Sequence, residues 1–313
     1  MASLASNIGQ RIKDTFQAGL NYQSKINGKQ YDSLTITPTD GPVGAIITGL
    51  DVSKPLKPWE ILELKQAFKD HLILIFKNQA LDDEAYLKFA TYFGNVFYPS
   101  PDVPVLASDP YGNTPAVVLV ANVEGGHTGT GELTAHSDHH WTPYPSKASF
   151  LHALEVPVTG GDTYWSNQYQ VYDDLDDDTK AYIEHLKLIT YNPFVRRIKG
   201  GEHVPYRNPA LPPISDAFPH PLVATHPETG KKFLYLDAET EVEVPGLSYE
   251  EGAALIKKLR EHQNNPKYFY QHKWAVGDIL LWDNYATLHY RPAFDPNTRR
   301  VLKRISLAGG RPF

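Results

Sequence analysis

The stretch "TAHSDHHWTP", residues 134–143, places three histidines and an aspartate within five consecutive positions. Imidazole and carboxylate groups are the side chains that bind first-row transition metals and that exchange protons near neutral pH. A polar surface loop is the plain alternative, because most polar side chains in proteins are exposed. The stretch predicts a metal site only if other parts of the chain supply the missing groups.

A complete ligand set can be built from this stretch and one distant histidine. His136 and Asp138 are two residues apart, so on an extended segment both side chains leave the same face. His289 supplies a third ligand at the end of "GDILLWDNYATLHYRP", where Asp283 and Asn284 are expected to fix the turn through bonds from side chain to backbone. Two histidines and one carboxylate on one face of an octahedral ion form the facial triad of non-haem Fe(II) oxygenases.

The two histidines that follow the ligand pair have a different expected role. The triad is complete without His139 and His140, so we expect them behind the ligands or in the pocket wall. If the segment stays extended, His140 shares the ligand face and His139 does not.

A second polar set lies in "TRRVLKRISLAG", where Arg300, Leu302, Arg304 and Ser306 fall on one face of a predicted strand. Buried guanidinium groups need anionic partners. Ferrous iron with one aspartate and two neutral imidazoles keeps a positive charge, which a 2-oxoglutarate chelating through its keto acid neutralises. The distal carboxylate of that molecule suits the two-pronged hydrogen bonding of arginine, and Arg300 is the candidate.

Several longer segments resemble the taurine dioxygenase and 2,4-dichlorophenoxyacetate dioxygenase (TauD/TfdA) family of Fe(II)/2-oxoglutarate-dependent oxygenases. The similarity runs from "GPVGAIITGLDVSKPL" to "RISLAGGRPF" and includes "HLILIFKNQ", "THPETGKKFLYLD" and "WDNYATLHYRP". The resemblance implies that the metal ligands are His136, Asp138 and His289. It also implies that Arg300 and the hydroxyl of Thr163, in "VPVTGGDTYWSN", bind 2-oxoglutarate.

The same resemblance implies a fold and a reaction. The expected fold is a double-stranded β-helix, a cupin-like jelly roll. The expected cofactors are Fe(II), 2-oxoglutarate and O2, with ascorbate as the reductant in vitro. Such an enzyme converts 2-oxoglutarate to succinate and CO2 while it hydroxylates or desaturates a second molecule. Halogenating relatives have glycine or alanine at the position of Asp138, so the aspartate favours oxygenation or desaturation.

The residues expected at the substrate are less closely defined. Arg304 falls on the family position that faces the taurine sulfonate, which implies a small carboxylate, sulfonate or zwitterion as the substrate. Glu132 and Asp237 stand where the taurine enzyme has asparagines. Two interpretations remain open for these acidic residues, namely an amine-binding role in the pocket and ordinary surface charges. Tyr98 and Trp141 are the candidates for an aromatic wall.

Composition limits the remaining possibilities. The chain has 313 residues, no cysteine and a formal net charge of −6, so thiolate ligands are excluded and no basic patch favours nucleic acid. No apolar run reaches the ~18 residues of a membrane span. We expect a cytoplasmic enzyme that acts on a small molecule, without nucleic acid or membrane partners. The composition is also compatible with a homo-oligomer.

Hydrophobic patterning predicts a mainly β protein with peripheral helices. Helical periodicity is present over residues 58–71, 81–94 and 167–189, and many short apolar runs between turn residues predict strands. We expect residues 1–30 to be an N-terminal extension and residues 31–313 to form a single dioxygenase domain.

A long proline-rich segment interrupts this pattern at residues 190–221. Loops of this length are usually functional lids or disordered, and we expect a lid-like insertion over the pocket. The side chains expected to reach the substrate are Arg196, Arg197, Tyr206 and Arg207.

Two other classes of protein are compatible with parts of the pattern. A non-catalytic jelly-roll protein that binds a metal or ligand has the same fold, because fold alone does not define function. A zinc hydrolase accounts for the three ligands but not for Arg300. The full set of ligands with Thr163 and Arg300 favours the oxygenase.

Overall fold

The fold is built mainly from short β-strands, with helices at its edges. The computed structural model describes residues 31, 33–100, 103–109, 111–195, 204–213 and 215–313, and the predicted extension over residues 1–30 lies outside them. The strands are β1 (Thr35–Pro38), β2 (Ala45–Thr48), β3 (Ile73–Phe76), β4 (Val118–Ala121), β5 (Leu133–His136), β6 (Ala148–Glu155), β7 (Thr163–Ser166), β8 (Lys187–Thr190), β9 (His220–Pro221), β10 (Val223–Thr225), β11 (Lys232–Leu234), β12 (Val242–Glu243), β13 (Phe269–His272), β14 (Ile279–Asp283), β15 (His289–Arg291) and β16 (Val301–Leu307). The α-helices are α1 (Pro58–His71), α2 (Asp83–Thr91), α3 (Gln168–Asp173), α4 (Asp177–Ile183) and α5 (Tyr249–Gln263).

Two sheets carry the residues of interest. The larger has seven strands in the order β1-β2-β3-β14-β6-β16-β4, and the smaller has four in the order β13-β7-β15-β5. Within these sheets neighbouring strands are antiparallel, except that β2 and β3 are parallel. Most neighbours are distant in sequence, so polar groups at the ends of β5, β7, β15 and β16 meet only in the folded chain.

The larger sheet is covered on both faces, which explains its nearly continuous apolar strands. Leu280 and Trp282 of β14 belong to a core cluster that reaches the smaller sheet, where the indoles of Trp282 and Trp165 are 5.9 Å apart. The alternate residues Ile279 and Leu281 belong to a second cluster with α1 and α2. The alternation follows from the period of two in an extended strand.

Two helices were predicted close to their observed limits. Helix α1 covers the predicted residues, beginning at Pro58 and ending before Leu72, whose backbone is left-handed with φ 63°. Helix α2 is shorter than the predicted 81–94. It begins after Asp82, because the Oδ1 of that residue accepts the backbone N–H of Ala85 at 2.8 Å.

The helical prediction over residues 167–189 is confirmed for α3 and α4 but is wrong at its end. Residues 187–190 form strand β8, which pairs with β12 and β9. Leu188 and Thr190 are buried while Lys187 is exposed, and this alternation has the period of a strand.

Helix α5 is amphipathic and closes a third apolar cluster. Leu255, Ile256 and Leu259 contribute its buried face, and Ser248 caps its first turn by accepting the N–H of Glu251. None of the helices in the described part of the chain has the length and apolar character that crossing a membrane requires.

Candidate active site

The three predicted ligands come together at one end of the smaller sheet. His136 ends β5 and His289 begins β15, and the two residues are paired directly across the ladder. Their ring centroids are 4.3 Å apart, and Nε2 of His136 is 3.8 Å from Oδ1 of Asp138. One nitrogen or oxygen atom from each of the three side chains lies within 4.8 Å of the others. Strand pairing therefore brings His289 beside His136, and the turn after β5 adds Asp138 to the group.

The chain does not stay extended beyond His136. Residues 138–141 form a turn, in which His139 has a left-handed φ of 64°. The ring of His139 stacks on Phe97 at 4.2 Å, and His140 is buried against β8. The condition under which His140 would share the ligand face does not hold, because the turn redirects the backbone. Among the described residues, the group that can hold a metal ion includes neither histidine.

Asn284 ties the turn before His289 to the ligand loop. It is completely buried, and its Oδ1 accepts the backbone N–H of Asp138 at 2.8 Å. Its Nδ2 donates to the carbonyl of Asp138 at 2.8 Å and to that of Ser146 at 2.8 Å. The sequence predicted only a local role for Asn284, and the structure adds a bond across 146 positions.

Asp283 performs the local role that was predicted for the turn. Its Oδ1 accepts the backbone N–H groups of Tyr285 at 3.0 Å and Ala286 at 2.8 Å. Its Oδ2 lies 2.9 Å from Nε2 of His226. The turn is therefore fixed by its own carboxylate and by a neighbouring histidine.

The protonation states of His289 and Asp138 suit a bound cation. Burial lowers the pKa of His289 to about 3, so its imidazole is neutral at physiological pH. Burial alone would raise the pKa of Asp138, but Arg304 and His289 outweigh it and hold that pKa well below its usual range. Nδ1 of His289 is buried without a hydrogen-bond partner in the described part of the chain. Imidazole nitrogens and one carboxylate are ligands that fit a first-row metal ion such as Fe(II).

A second polar group surrounds Thr163 at the start of β7. Arg300 is buried, and its Nε donates to the carbonyl of Gly161 at 2.8 Å while its Nη2 donates to Oγ1 of Thr163 at 3.1 Å. Burial and the nearby Arg291 lower the pKa of Arg300 to about 9. The structure thus places together the two residues that were predicted to bind 2-oxoglutarate. The sequence analysis missed Trp274, whose Nε1 also donates to Thr163 Oγ1 at 3.0 Å.

Gly161 is needed for the close approach of this arginine. Its φ is +71°, and a Cβ atom there would lie 3.2 Å from Cδ of Arg300. A side chain at position 161 would strain the backbone and crowd the guanidinium.

Arg304 lies on the side of β16 that faces the triad. Its Nη1 is 3.1 Å from each carboxylate oxygen of Asp138. The sequence predicted a substrate anchor at this position and did not predict a bond to a ligand residue. Nε of Arg304 is buried with no hydrogen-bond partner among the described residues.

The other predicted substrate residues differ in their exposure. Trp141 is buried, with its ring 5.7 Å from that of Phe194. Tyr98 is 62% exposed. Glu132 is exposed. Its charge raises the pKa of Tyr290, but burial and the nearby Tyr164 raise that pKa more. Within the described residues, no hydrogen bond or ion pair joins Tyr98 or Glu132 to the triad, so their substrate roles remain predictions.

Of the two interpretations of Asp237, the surface charge is wrong, and the amine-binding role stays a prediction. The residue is completely buried, so it is not a surface charge. Its Oδ1 accepts the backbone N–H of Ser137 at 3.0 Å, and its Oδ2 accepts the hydroxyl of Thr240 at 2.9 Å. Asp237 therefore fixes the backbone of Ser137, which lies between the candidate ligands His136 and Asp138.

Two of the four predicted lid side chains are engaged elsewhere. Tyr206 is buried in the cluster under α5, and its hydroxyl accepts the backbone N–H of Val244 at 3.2 Å. Arg207 forms an ion pair with Glu243, so its guanidinium is already engaged within the protein. Arg196 and Arg197 lie outside the described residues.

A facial set of two histidines and an aspartate, close to a buried arginine–threonine pair, is the arrangement expected of an Fe(II)/2-oxoglutarate oxygenase. Residues 35–306 match the family described as taurine catabolism dioxygenase TauD, TfdA family, so the chain belongs to this family. It is therefore a non-haem Fe(II)/2-oxoglutarate-dependent dioxygenase, and the zinc hydrolase and the non-catalytic binding protein are not favoured.

Characterised relatives act on different small molecules. The chain is 30% identical over 275 residues to the alpha-ketoglutarate-dependent 2,4-dichlorophenoxyacetate dioxygenase of Burkholderia sp. (strain RASC), covering 85% of this chain and 91% of that protein. It is 30% identical over 284 residues to an alkylsulfatase of Acinetobacter baylyi, covering 88% and 85%. Pentalenolactone F synthase of Streptomyces arenae is 27% identical over 290 residues, covering 87% and 94%.

Solved structures have the same overall fold. The structure of AAD-2 in complex with Mn(II) and N-oxalylglycine superposes with a TM-score of 0.72 at 30% identity, covering 90% of this chain and 99% of that one. A taurine dioxygenase from Burkholderia xenovorans gives a TM-score of 0.71 at 26% identity, covering 90% and 93%.

Proposed function

We propose that His136, Asp138 and His289 bind Fe(II), and that Arg300 and Thr163 bind the distal carboxylate of 2-oxoglutarate. The proposal is carried by the grouping of the three ligand atoms within 4.8 Å. It is supported by the buried bond between Arg300 and Thr163, because a desolvated guanidinium gains most from an anionic partner. Among the described residues no hydrogen bond uses Nη1 of Arg300, so that nitrogen is available to the carboxylate.

Bound Fe(II) supplies the O2 activation that is coupled to the conversion of 2-oxoglutarate to succinate and CO2. The protein binds and orients the reactants and shields them from water. The indoles of Trp282 and Trp165 lie 5.0 and 6.4 Å from the ring of His289 and cover one side of the triad. Asn284 fixes the backbone of Asp138, so the carboxylate is oriented before the metal binds.

The second substrate is a small polar organic acid, namely a carboxylate or a sulfonate, or a zwitterion, and the reaction is hydroxylation or desaturation. Support comes from Arg304, whose guanidinium is buried beside the triad and keeps an unused Nε donor. The names of relatives include a phenoxyacetate dioxygenase and a sulfate ester dioxygenase, both of which act on anions. Trp141, Tyr98 and Glu132 are the remaining candidates for substrate contacts.

We further propose that the two sheets form a double-stranded β-helix and that residues 31–313 make one domain. The core shared by the larger sheet and Trp165 supports this assignment.

Residues 190–221 are proposed to act as a lid. Deleting part of this segment should leave 2-oxoglutarate binding intact and make succinate exceed oxidised product. Unchanged coupling of the two products would contradict the proposed lid.

A substrate screen tests the proposed substrate class. Protein with Fe(II) and 2-oxoglutarate is mixed without O2 with a panel of small carboxylates, sulfonates, sulfate esters and zwitterions, and each acid is matched with its neutral amide or alcohol. A true substrate should perturb the charge-transfer absorption of the metal and, in air, accelerate succinate release. Equal responses to the acids and to their neutral partners would contradict an anionic substrate. The Arg304→Leu variant should lose the preference for anions.

A further inference from the structure

We propose that Trp274 is a positioning residue, which fixes the hydroxyl of Thr163 as a hydrogen-bond donor to the distal carboxylate of 2-oxoglutarate. This inference rests on the proposed function, in which Thr163 and Arg300 bind that carboxylate.

The acceptor capacity of the Thr163 hydroxyl is already used. Nε1 of Trp274 lies 3.0 Å from Oγ1, and Nη2 of Arg300 lies 3.1 Å from the same atom. An indole N–H and a guanidinium can only donate, whereas a hydroxyl oxygen has two lone pairs and one proton. Both lone pairs therefore face donors, and the proton has to point towards a third group. An ionised carboxylate accepts hydrogen bonds only, so it is the matching ligand group.

The indole contacts two neighbouring side chains that hold it in place. Trp274 follows β13 by two residues, and His272 at the end of that strand is paired with Thr163 across the ladder. The ring of His272 meets the indole edge to face, with centroids 4.6 Å apart. The guanidinium carbon of Arg300 lies 5.9 Å from the indole centroid.

A buried carboxylate anchors the loop that carries the indole. Oδ2 of Asp278 accepts from Nζ of Lys77 at 2.7 Å and from the backbone N–H of Ala275 at 3.0 Å, and it lies 3.1 Å from Nε2 of His272. Asp278 is completely buried. The loop between β13 and β14 is therefore ordered by its own contacts, and little conformational freedom of Trp274 is lost when a ligand binds.

The arrangement gives a preference for ligands that carry a second carboxylate. A 2-oxo acid such as 2-oxobutyrate has the chelating keto acid but no distal carboxylate. It gains nothing from an oriented Thr163 hydroxyl. The role of Trp274 can therefore be measured by comparing 2-oxoglutarate with 2-oxobutyrate.

The first experiment measures binding to protein loaded with Mn(II), which separates affinity from turnover. In calorimetric titrations, Trp274→Phe should bind 2-oxoglutarate about threefold to tenfold more weakly, because the hydroxyl remains but loses its fixed orientation. Its affinity for 2-oxobutyrate should not change. Trp59→Phe is the matched control, because Trp59 is 44% exposed on α1, and it should leave both affinities unchanged. Trp274→His keeps a ring N–H and should recover part of the 2-oxoglutarate affinity.

A double mutant separates this inference from the proposed function. Thr163→Val should weaken 2-oxoglutarate binding about tenfold or more, and Trp274→Phe should then have no further effect. If the two effects add, or if 2-oxobutyrate weakens equally, Trp274 acts through packing and the inference fails. The inference also fails if Trp274→Phe changes nothing while Thr163→Val weakens binding. If Thr163→Val itself leaves 2-oxoglutarate affinity unchanged, the assignment of Thr163 is wrong.

Discussion

Replacing Asn284 with alanine tests whether hydrogen bonds across the fold hold the iron ligands. The buried side chain accepts from the N–H of Asp138 at 2.8 Å and donates to the carbonyls of Asp138 and Ser146, both at 2.8 Å. At about 1 kcal/mol for each net hydrogen bond, and with three buried backbone groups left unpaired, we expect the free energy of unfolding to fall by about 3 kcal/mol. Asp138 loses both of its backbone partners, so metal affinity should fall roughly tenfold to a hundredfold.

The two effects can be measured separately and compared with a matched control. Urea denaturation of the metal-free protein gives the change in unfolding free energy, and titration with Mn(II) under folding conditions gives the affinity. Asn167 also makes three bonds, because its Oδ1 accepts the N–H groups of Tyr169 at 3.1 Å and Gln170 at 3.2 Å and its Nδ2 donates to the carbonyl of Pro42 at 3.0 Å. Asn167→Ala should lose stability and keep its metal affinity. If Asn284→Ala also binds Mn(II) normally, the bonds of Asn284 do not orient Asp138.

Three further predictions concern the charged groups. Asp138→Ala should abolish the formation of succinate from 2-oxoglutarate, and undiminished turnover would remove Asp138 from the ligand set. Arg300→Ala should raise the 2-oxoglutarate requirement sharply, because a charged hydrogen bond of about 1.5–3 kcal/mol is lost, whereas Arg304→Ala should mainly weaken the second substrate. Equal, unchanged affinities for 2-oxoglutarate would refute this distinction. Burial alone would raise the pKa of Asp278, but bonds from His272 and Lys77 lower it below its usual 3.8. Its stabilising contribution is complete above that value and is lost as the pH falls through the lowered pKa, so the urea midpoints of the wild type and Asp278→Asn should converge in acid. A difference that does not depend on pH would contradict this assignment.

The grouping of the three candidate ligands could be predicted because residue type carries their chemistry and the family resemblance adds the distant histidine. His136 and Asp138 are two residues apart on one segment, and His289 follows a strongly apolar strand. Helix α1 was predicted for a similar reason, because its periodic pattern and Pro58 are local signals. These predictions needed no knowledge of tertiary contacts.

The groups that position the ligands could not be predicted, because their partners are distant in the sequence. Asn284 bonds to Asp138 across 146 positions, and Trp274 bonds to Thr163 across 111. The turn after His136 depends on His139 in a left-handed conformation. Histidine adopts this conformation more readily than most residues, but no glycine or proline beside His139 signals the turn in the sequence. A single buried acid in a loop, such as Asp237, also has no periodic signal that would separate it from a surface charge.

The turn between β14 and β15 links the two halves of the triad. Asp283 fixes the path of the chain towards His289 by accepting two N–H groups of the turn, and Asn284, the next residue, grips both backbone polar groups of Asp138. The pairing of His289 with His136 across strands β15 and β5 provides a second connection between the two parts of the triad. The distance between Asp138 and His289 is therefore set by directional bonds as well as by packing. It follows that a change in this turn should disturb metal binding even when every ligand is retained.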